Sequence, residues 1–140
     1  MTLFGAASLT DVLTDLAARF GEPVRTVFAG SGEVARQVVA GAPADLVALA
    51  DPPWMDRLAA AGRIRTTSRV VLATNTLVVI APADRAPTTF AWGGRIAIGD
   101  PDSVPAGRYA RDMMRSLGVW DAARVGIVTA ADVRAVRSFV

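Results

Sequence analysis

The chain has 140 residues, of which 52% are hydrophobic and 20% charged, a composition typical of a folded chain with one compact domain or two small lobes. It contains neither His nor Cys, and all fifteen basic residues are Arg. Catalysis by His, Cys or Lys and zinc sites built on His or Cys are therefore excluded. The net charge is only +2 and the Arg residues are scattered along the chain, which argues against nucleic-acid binding.

The N-terminal sequence MTLFGAASL leads directly into a predicted strand and does not resemble a signal peptide. No apolar run approaches the ~20 residues that a membrane span needs, so we expect no membrane insertion. These features predict either a cytosolic protein or a mature, trimmed form.

Strands and helices alternate in the first half of the chain. The predicted elements are strand 2–5, helix 9–20, strand 24–29, helix 32–40, strand 46–50 and a helix from Pro52 to just before Gly62. An apolar stripe marks the first helix, and the almost continuous apolar run of the third strand favours a parallel strand covered on both faces.

The second half begins less regularly and then returns to the same alternation. Its predicted elements are strand-like runs 69–73 and 77–81, loop or linker 82–89, strand 95–99, turn 100–105, helix 106–117, strand 125–129 and a helix from Asp132. The last helix is still in apolar register at Val140, which predicts a truncated second lobe. We therefore expect an α/β protein with a first lobe 1–78 and a partial second lobe 79–140.

Four strand-to-helix junctions share one design. GAASLTD places Ser8 at an N-cap, FAGSGEVARQ places Ser31 between two glycines, GDPDSVPAGRYA brings Ala106 to a helix start, and TAADVRAV puts Val133 after the capping residue Asp132. Each helix start offers unpaired backbone N–H groups and the positive end of the helix dipole, a possible anion site. Gly30, Gly32 and Gly107 would let an anion approach the backbone. Structural capping alone would also account for either serine.

Two further patterns have alternative interpretations. GSGEVA fits the dinucleotide-binding fingerprint, with Gly30 and Gly32 as its glycines and Asp51 as a ribose-binding acid, which would make the chain an oxidoreductase domain. Asp100 and Asp102 lack the additional oxygen ligands of a calcium loop and are predicted to shape a turn.

Several stretches together resemble the periplasmic molybdate-binding proteins that feed ABC transporters. They are FGAASLTDVLTDLAARF, FAGSGEVARQVVAGAPADLVALADPPWMDRL, NTLVVIAP, GGRIAIGDPDSVPAGRYARDMMRSLGVWD and ADVRAV, in the family's order. The resemblance implies a type II periplasmic binding fold, with two α/β lobes of mostly parallel strands and the oxyanion in the cleft between them. It also implies that Ser8 and Ser31 donate through hydroxyl and backbone groups, and Ala106 and Val133 through backbone N–H groups.

The resemblance further implies a molybdate or tungstate ligand, an ABC transporter permease as partner and a periplasmic or extracytoplasmic location. The resemblance implies a binding protein that is not an enzyme, has no cofactor and has no directly bound metal cation. Members of the family continue beyond the segment that corresponds to Val140. Their additional residues complete the second lobe, return to the first and include a tyrosine that binds the oxyanion, which Tyr109 does not replace. Family members also carry a secretion signal. An oxyanion-sensing effector domain is a third interpretation, because the same bilobed fold serves in regulators.

Overall fold

The computed structural model describes residues 1–85 and 92–140, so the part of the predicted loop 82–89 from residue 86 onward lies outside the described residues. The chain divides into two compact units, Met1–Ala73 and Thr74–Val140, where the sequence predicts a division after residue 78. Both units are α/β, as predicted. No helix in the described part of the chain has the length and apolar character needed to cross a bilayer.

The first unit is a parallel three-stranded sheet with helices after each strand. Its elements are β1 (Thr2–Ala6), α1 (Thr10–Arg19), β2 (Arg25–Ala29), α2 (Ser31–Val39), β3 (Leu46–Ala48) and α3 (Pro52–Ala60). The strand order is β2-β1-β3, so the first strand lies in the centre. A 3-10 turn, Ala7–Leu9, separates β1 from α1. The predicted strands and helices up to residue 61 are present within one or two residues of their expected bounds.

The core of the first unit lies between the sheet and two of its three helices. The buried side chains are those of Phe4, Val34, Ala35, Val38 and Leu58, from β1, α2 and α3. Helix α1 has no buried residue. Its predicted apolar stripe has the expected spacing, yet Val12, Leu16 and Phe20 are exposed.

Strand β3 is parallel to β1, as its apolar run predicts. The run also predicts a strand covered on both faces, and the structure agrees with this in part: Ala48 is buried and Val47 is half-buried, but Leu46 is exposed. The burial of a strand's faces depends on the elements packed above and below it, which an apolar run does not identify.

The second unit contains a two-stranded parallel sheet. Its elements are β4 (Ile96–Gly99), α4 (Pro105–Ser116), α5 (Trp120–Ala123), β5 (Ile127–Ala130) and α6 (Val133–Arg137). The sequence analysis did not predict the short helix α5. Ile98, Ala110, Met114 and Ala123 form the buried core, and Trp92 and Trp120 pack against it.

The two strand-like runs 69–73 and 77–81 do not form strands. Residues 69–82 are neither helical nor extended in a sheet, and all residues from 65 to 81 are exposed. The backbone of residues 70–82 makes no hydrogen bond to any residue that the structure describes. The β-branched composition was read correctly as strand propensity, but a strand also needs a pairing partner.

Gly107, in the first turn of α4, packs directly on the end of β4. A Cβ atom at this position would clash with the carbonyl group of Gly99, which is backbone and cannot move aside as a flexible side chain could. We expect Gly107→Ala to lower the free energy of unfolding by about 3 kcal/mol or more. The matched control is Gly93→Ala, because a Cβ at Gly93 meets nothing within 4 Å. Urea unfolding curves of the two variants provide the comparison, and similar midpoints would contradict the packing role.

Candidate functional site

Ser8 and Ser31 lie at the same edge of the first sheet. Strands β1 and β2 are parallel neighbours, and Ala6 at the end of β1 is opposite Ala29 at the end of β2. Each serine follows its strand at the same distance, two residues beyond this pair. Parallel strands bring the helix starts that follow them to one edge of a sheet. The structure therefore brings these two predicted site residues together.

Ser8 does not cap α1. It lies in the 3-10 turn Ala7–Leu9, the N-cap position of α1 is occupied by Leu9, and no side chain caps that helix. The predicted N-cap position of Ser8 is therefore wrong, because the extra turn moves the helix start away from Ser8. The serine is exposed, and its hydroxyl makes no hydrogen bond within residues 1–85 and 92–140. Its hydroxyl is thus uncommitted.

Ser31 is buried and is held by a backbone group. It is the first residue of α2, with Gly30 at the N-cap, so it too is not the cap that the sequence predicts. The side chain is 2% exposed, and its Oγ accepts a hydrogen bond of 3.1 Å from the N–H of Ala50, just beyond β3. A hydroxyl that accepts through one lone pair still has its proton to donate. No local sequence pattern indicates Ala50, because it lies 19 residues from Ser31 along the chain.

Ala106 and Val133 occupy the corresponding edge of the second sheet. Strands β4 and β5 are parallel and pair Gly99 with Ala130 at their ends. Ala106 is the second residue of α4, and Val133 is the first residue of α6. Both are partly buried. These two predicted site residues therefore also share one edge.

The capping side chain of α6 does not accept a hydrogen bond from the first N–H group of the helix, that of Val133. The side chain of Asp132 accepts hydrogen bonds from the N–H groups of Arg134 and Ala135, at 2.8 and 2.9 Å. The N–H of Val133 is not among the groups that this cap satisfies. The predicted role of Asp132 as the cap is confirmed.

The four candidate residues share an uncommitted backbone donor. The N–H groups of Ser8, Ser31, Ala106 and Val133 donate to no acceptor in the described part of the chain. Buried or half-buried N–H groups in folded proteins are normally paired, so the unpaired N–H groups of Ser31, Ala106 and Val133 at helix starts favour an anion. Each pair is a feature of its own unit. That all four donors bind one ligand stays a prediction.

Other predicted candidates have structural roles. The close backbone contact between Gly107 and Gly99 is sufficient to explain why residue 107 is glycine, without a ligand. Asp100 accepts hydrogen bonds from the N–H of Asp102 and the hydroxyl of Ser103, as expected for a turn-forming residue. Within the described ranges, no group of three or more acidic, His or Cys residues could hold a metal ion.

Asp51 is built into the fold of the first unit. It is 4% exposed and is the N-cap of α3, where its side chain accepts from the N–H of Trp54 at 3.4 Å. Pro52 and Pro53 follow at the first helical positions, which suit proline. A ribose-binding acid needs an accessible carboxylate, so the structure does not favour the dinucleotide hypothesis for Gly30, Gly32 and Asp51.

Parallel α/β units with unpaired N–H groups at their helix starts are typical of proteins that bind small anionic solutes. The family model for bacterial extracellular solute-binding proteins matches residues 1–140, and the chain belongs to this family.

The relatives and solved structures that are similar to this chain are named as binding proteins. The molybdate-binding protein ModA of Escherichia coli K12 is 42% identical over 149 residues, an alignment that covers 96% of this chain and 58% of the relative. A putative ABC transporter substrate-binding lipoprotein of Bacillus subtilis, YvgL, is 31% identical, and the match covers 100% of this chain and 58% of that protein. The chain thus spans a little over half the length of these relatives.

The structural comparison gives the same class. The periplasmic molybdate-binding protein of Azotobacter vinelandii superposes with a TM-score of 0.79 at 26% identity, covering 99% of this chain and 65% of that one. The substrate-binding domain of a putative molybdenum ABC transporter from Clostridium difficile gives 0.69 at 26% identity, covering 100% and 66%. The predicted fold class is confirmed, and so is the family resemblance.

Ser31 and Ser8 should differ in their effect on stability. Ser31→Ala leaves the N–H of Ala50 without its partner in a partly buried position, so we expect a loss of about 1–3 kcal/mol in unfolding free energy. Ser8→Ala removes an exposed hydroxyl and should change it by less than about 0.5 kcal/mol. Urea denaturation of both variants checks this. Equal losses would mean that the Ser31–Ala50 hydrogen bond does not stabilise the fold.

Proposed function

We propose that this chain binds a tetrahedral oxyanion, molybdate or tungstate, through neutral donors at the starts of its helices. The observation that carries the proposal is the 42% identity, over 96% of the chain, to a protein named as molybdate-binding. The unpaired N–H groups of Ser8, Ser31, Ala106 and Val133 support it, because they provide donors for such a ligand. We propose that both pairs of donors serve oxyanion binding.

The donors suit an anion that carries no proton. A backbone N–H can only donate, so each one favours a deprotonated oxygen of the ligand. The Ser31 hydroxyl can also donate its proton to the ligand, because its oxygen already accepts a hydrogen bond from the N–H of Ala50. Phosphate carries a proton near neutral pH. Its P–O–H group is a hydrogen-bond donor and would face N–H groups that cannot accept a hydrogen bond. Molybdate, tungstate and sulfate are fully deprotonated and differ in size, so the dimensions of the site separate them.

No cationic side chain is needed to hold the charge. Hydrogen bonds to an ionised acceptor are stronger than those between neutral groups, and a helix start adds a partial positive charge. Helix α4, with twelve residues, is the longest of the helices that supply a candidate donor. A dianion held in this way exchanges its hydration shell for fixed backbone dipoles.

The biological role that we propose is delivery of the bound oxyanion to the permease of an ABC transporter, outside the cytoplasmic membrane. The names of the Bacillus subtilis relative and of the Clostridium difficile neighbour support this role, since both refer to an ABC transporter. We further propose that the chain binds its ligand without converting it. The relatives are named as binding proteins, and the sequence has no His, Cys or Lys for nucleophilic or acid–base catalysis.

Isothermal titration with four oxyanions tests the ligand. We expect molybdate and tungstate to bind at least tenfold more tightly than sulfate, and phosphate to give no heat of binding at neutral pH. The titrations should be run at one ionic strength, so that screening of the dianions is equal. Equal affinities for all four anions, or binding of none of them, would refute the proposal.

Val133 allows a backbone donor to be removed with little disturbance of its helix. It is the first residue of α6, where proline is favoured, and Asp132 before it is extended, with φ −156° and ψ 171°, as a residue before proline must be. We expect Val133→Pro to weaken molybdate binding about tenfold or more, because it removes an N–H that donates to a charged oxygen.

The matched control is Val133→Ala, which alters the side chain and keeps the N–H. It should retain the affinity of the unchanged protein. If titration gave the same weakening for the proline and alanine variants, the side chain and not the N–H of Val133 would be responsible, and the backbone donor would be excluded.

A further inference from the structure

The turn between β4 and α4 is organised by Asp100, the first residue after β4. Its carboxylate accepts two hydrogen bonds, from the N–H of Asp102 at 3.0 Å and from the hydroxyl of Ser103 at 2.7 Å. Its carbonyl oxygen accepts two more, from the N–H groups of Ser103 and Val104 at 3.2 and 2.8 Å. Asp100 is therefore hydrogen-bonded to each of residues 102–104.

Asp100 is also bonded to the other strand of the second unit. Its N–H donates to the carbonyl oxygen of Ala130, the last residue of β5, at 2.9 Å. Gly99, the residue before it, pairs with Ala130 in the parallel sheet. The turn is therefore anchored at the sheet edge where both helices of the candidate site begin.

Val104 and Pro105 connect the turn to the candidate donor Ala106. Val104 is 4% exposed, and its side chain lies over Gly99, where a Cβ atom would clash with it. Pro105 is buried, and proline has a fixed φ and no N–H, so the N–H of Ala106 is the first one of α4. The position and direction of this N–H therefore depend on where the turn places Val104.

The charge of Asp100 does not itself favour an anion. A carboxylate repels a negatively charged ligand, so its presence at this edge of the sheet calls for a different role. Each of its two oxygens accepts a hydrogen bond from the turn, and an ionised acceptor forms stronger hydrogen bonds than a neutral one. The carboxylate is thus suited to fixing the shape of the turn.

We propose that Asp100 is a positioning residue of the oxyanion site, whose carboxylate fixes residues 102–104 and through them the direction of the unpaired Ala106 N–H. Asp100 does this without touching the ligand. This role rests on the proposed function, because it requires the Ala106 N–H to donate to the oxyanion.

Three variants separate the geometry of the turn from its charge. Asp100→Ala removes both carboxylate hydrogen bonds. Asp100→Asn removes the charge and keeps both contacts, because the side-chain oxygen can accept from the N–H of Asp102 and the amide can donate to the Ser103 hydroxyl. Asp102→Ala is the matched control, since it removes a negative charge from the same turn. The Asp102 carboxylate is 86% exposed and pairs with Arg111, outside the turn.

Isothermal titration with molybdate measures the effect on binding. We expect Asp100→Ala to weaken binding about tenfold or more, because a donor to a charged ligand oxygen is misdirected. Asp100→Asn and Asp102→Ala should stay within about twofold of the unaltered protein, because both keep the hydrogen bonds of the turn. All titrations are made well below the unfolding midpoint, with the fold checked by circular dichroism, so that a loss of stability alone does not change the affinity.

Ser103→Ala is a milder variant for the case that Asp100→Ala does not fold. It removes only one of the two carboxylate contacts. We expect it to weaken molybdate binding about fivefold, in the same direction as Asp100→Ala.

Residual dipolar couplings of the ligand-free protein report the direction of the Ala106 N–H bond without molybdate. We expect Asp100→Ala to change the Ala106 coupling, while the coupling of Ile98 in the core of the same unit stays the same. Asp100→Asn and Asp102→Ala should leave both couplings unchanged.

An unchanged Ala106 coupling in Asp100→Ala would overturn the positioning role. So would unchanged or tighter molybdate binding by this variant, and tighter binding would show that the carboxylate acts by repulsion. Equal weakening by Asp100→Asn and Asp100→Ala would assign the effect to the charge and also overturn it. Absence of molybdate binding by the unaltered protein, with a changed coupling in Asp100→Ala, would refute the proposed function and leave Asp100 as the residue that directs the Ala106 N–H.

Discussion

Parallel strand pairing is the constraint on which the candidate site depends. Two neighbouring parallel strands end at one edge, so the helices that follow them also begin there. The pairing of Ala6 with Ala29 fixes this edge in the first unit, and that of Gly99 with Ala130 fixes it in the second. Backbone donors then collect at these edges without any dedicated side chain. The close fit of Gly107 on Gly99 shows how tightly a helix start must pack on a strand end for this to happen.

The proposed site of backbone donors suits a sequence with no His, Cys or Lys. Such a chain has few groups whose charge could change near neutral pH. N–H groups and serine hydroxyls do not titrate there either. Under this proposal, the protonation and the size of the ligand decide which oxyanion binds.

The sequence predicted local structure better than contacts. Alternating strands and helices, the cap at Asp132 and the turn at Asp100 follow from short-range rules and are present. Ser8 was misjudged because a 3-10 turn precedes α1, and turns of this kind leave little trace in hydrophobic spacing. The Ser31–Ala50 hydrogen bond joins residues that are 19 positions apart, so no local pattern indicates it. The four helix-start junctions follow from local patterns, and the family resemblance selects the four donor residues in them. The structure adds that these residues form two pairs.

Exposed apolar surface in this chain occurs in two different settings. On α1, Val12 and Leu16 are spaced one helical turn apart, Phe20 follows directly after the helix, and the helix already satisfies its own backbone hydrogen bonds. Covering that stripe would bury side chains only. In residues 70–80 the backbone makes no hydrogen bond to a described residue, so a strand paired with it would add hydrogen bonds to the burial of side chains. Strand propensity in a sequence is therefore not sufficient for a strand, because a strand also requires a neighbour with free backbone groups.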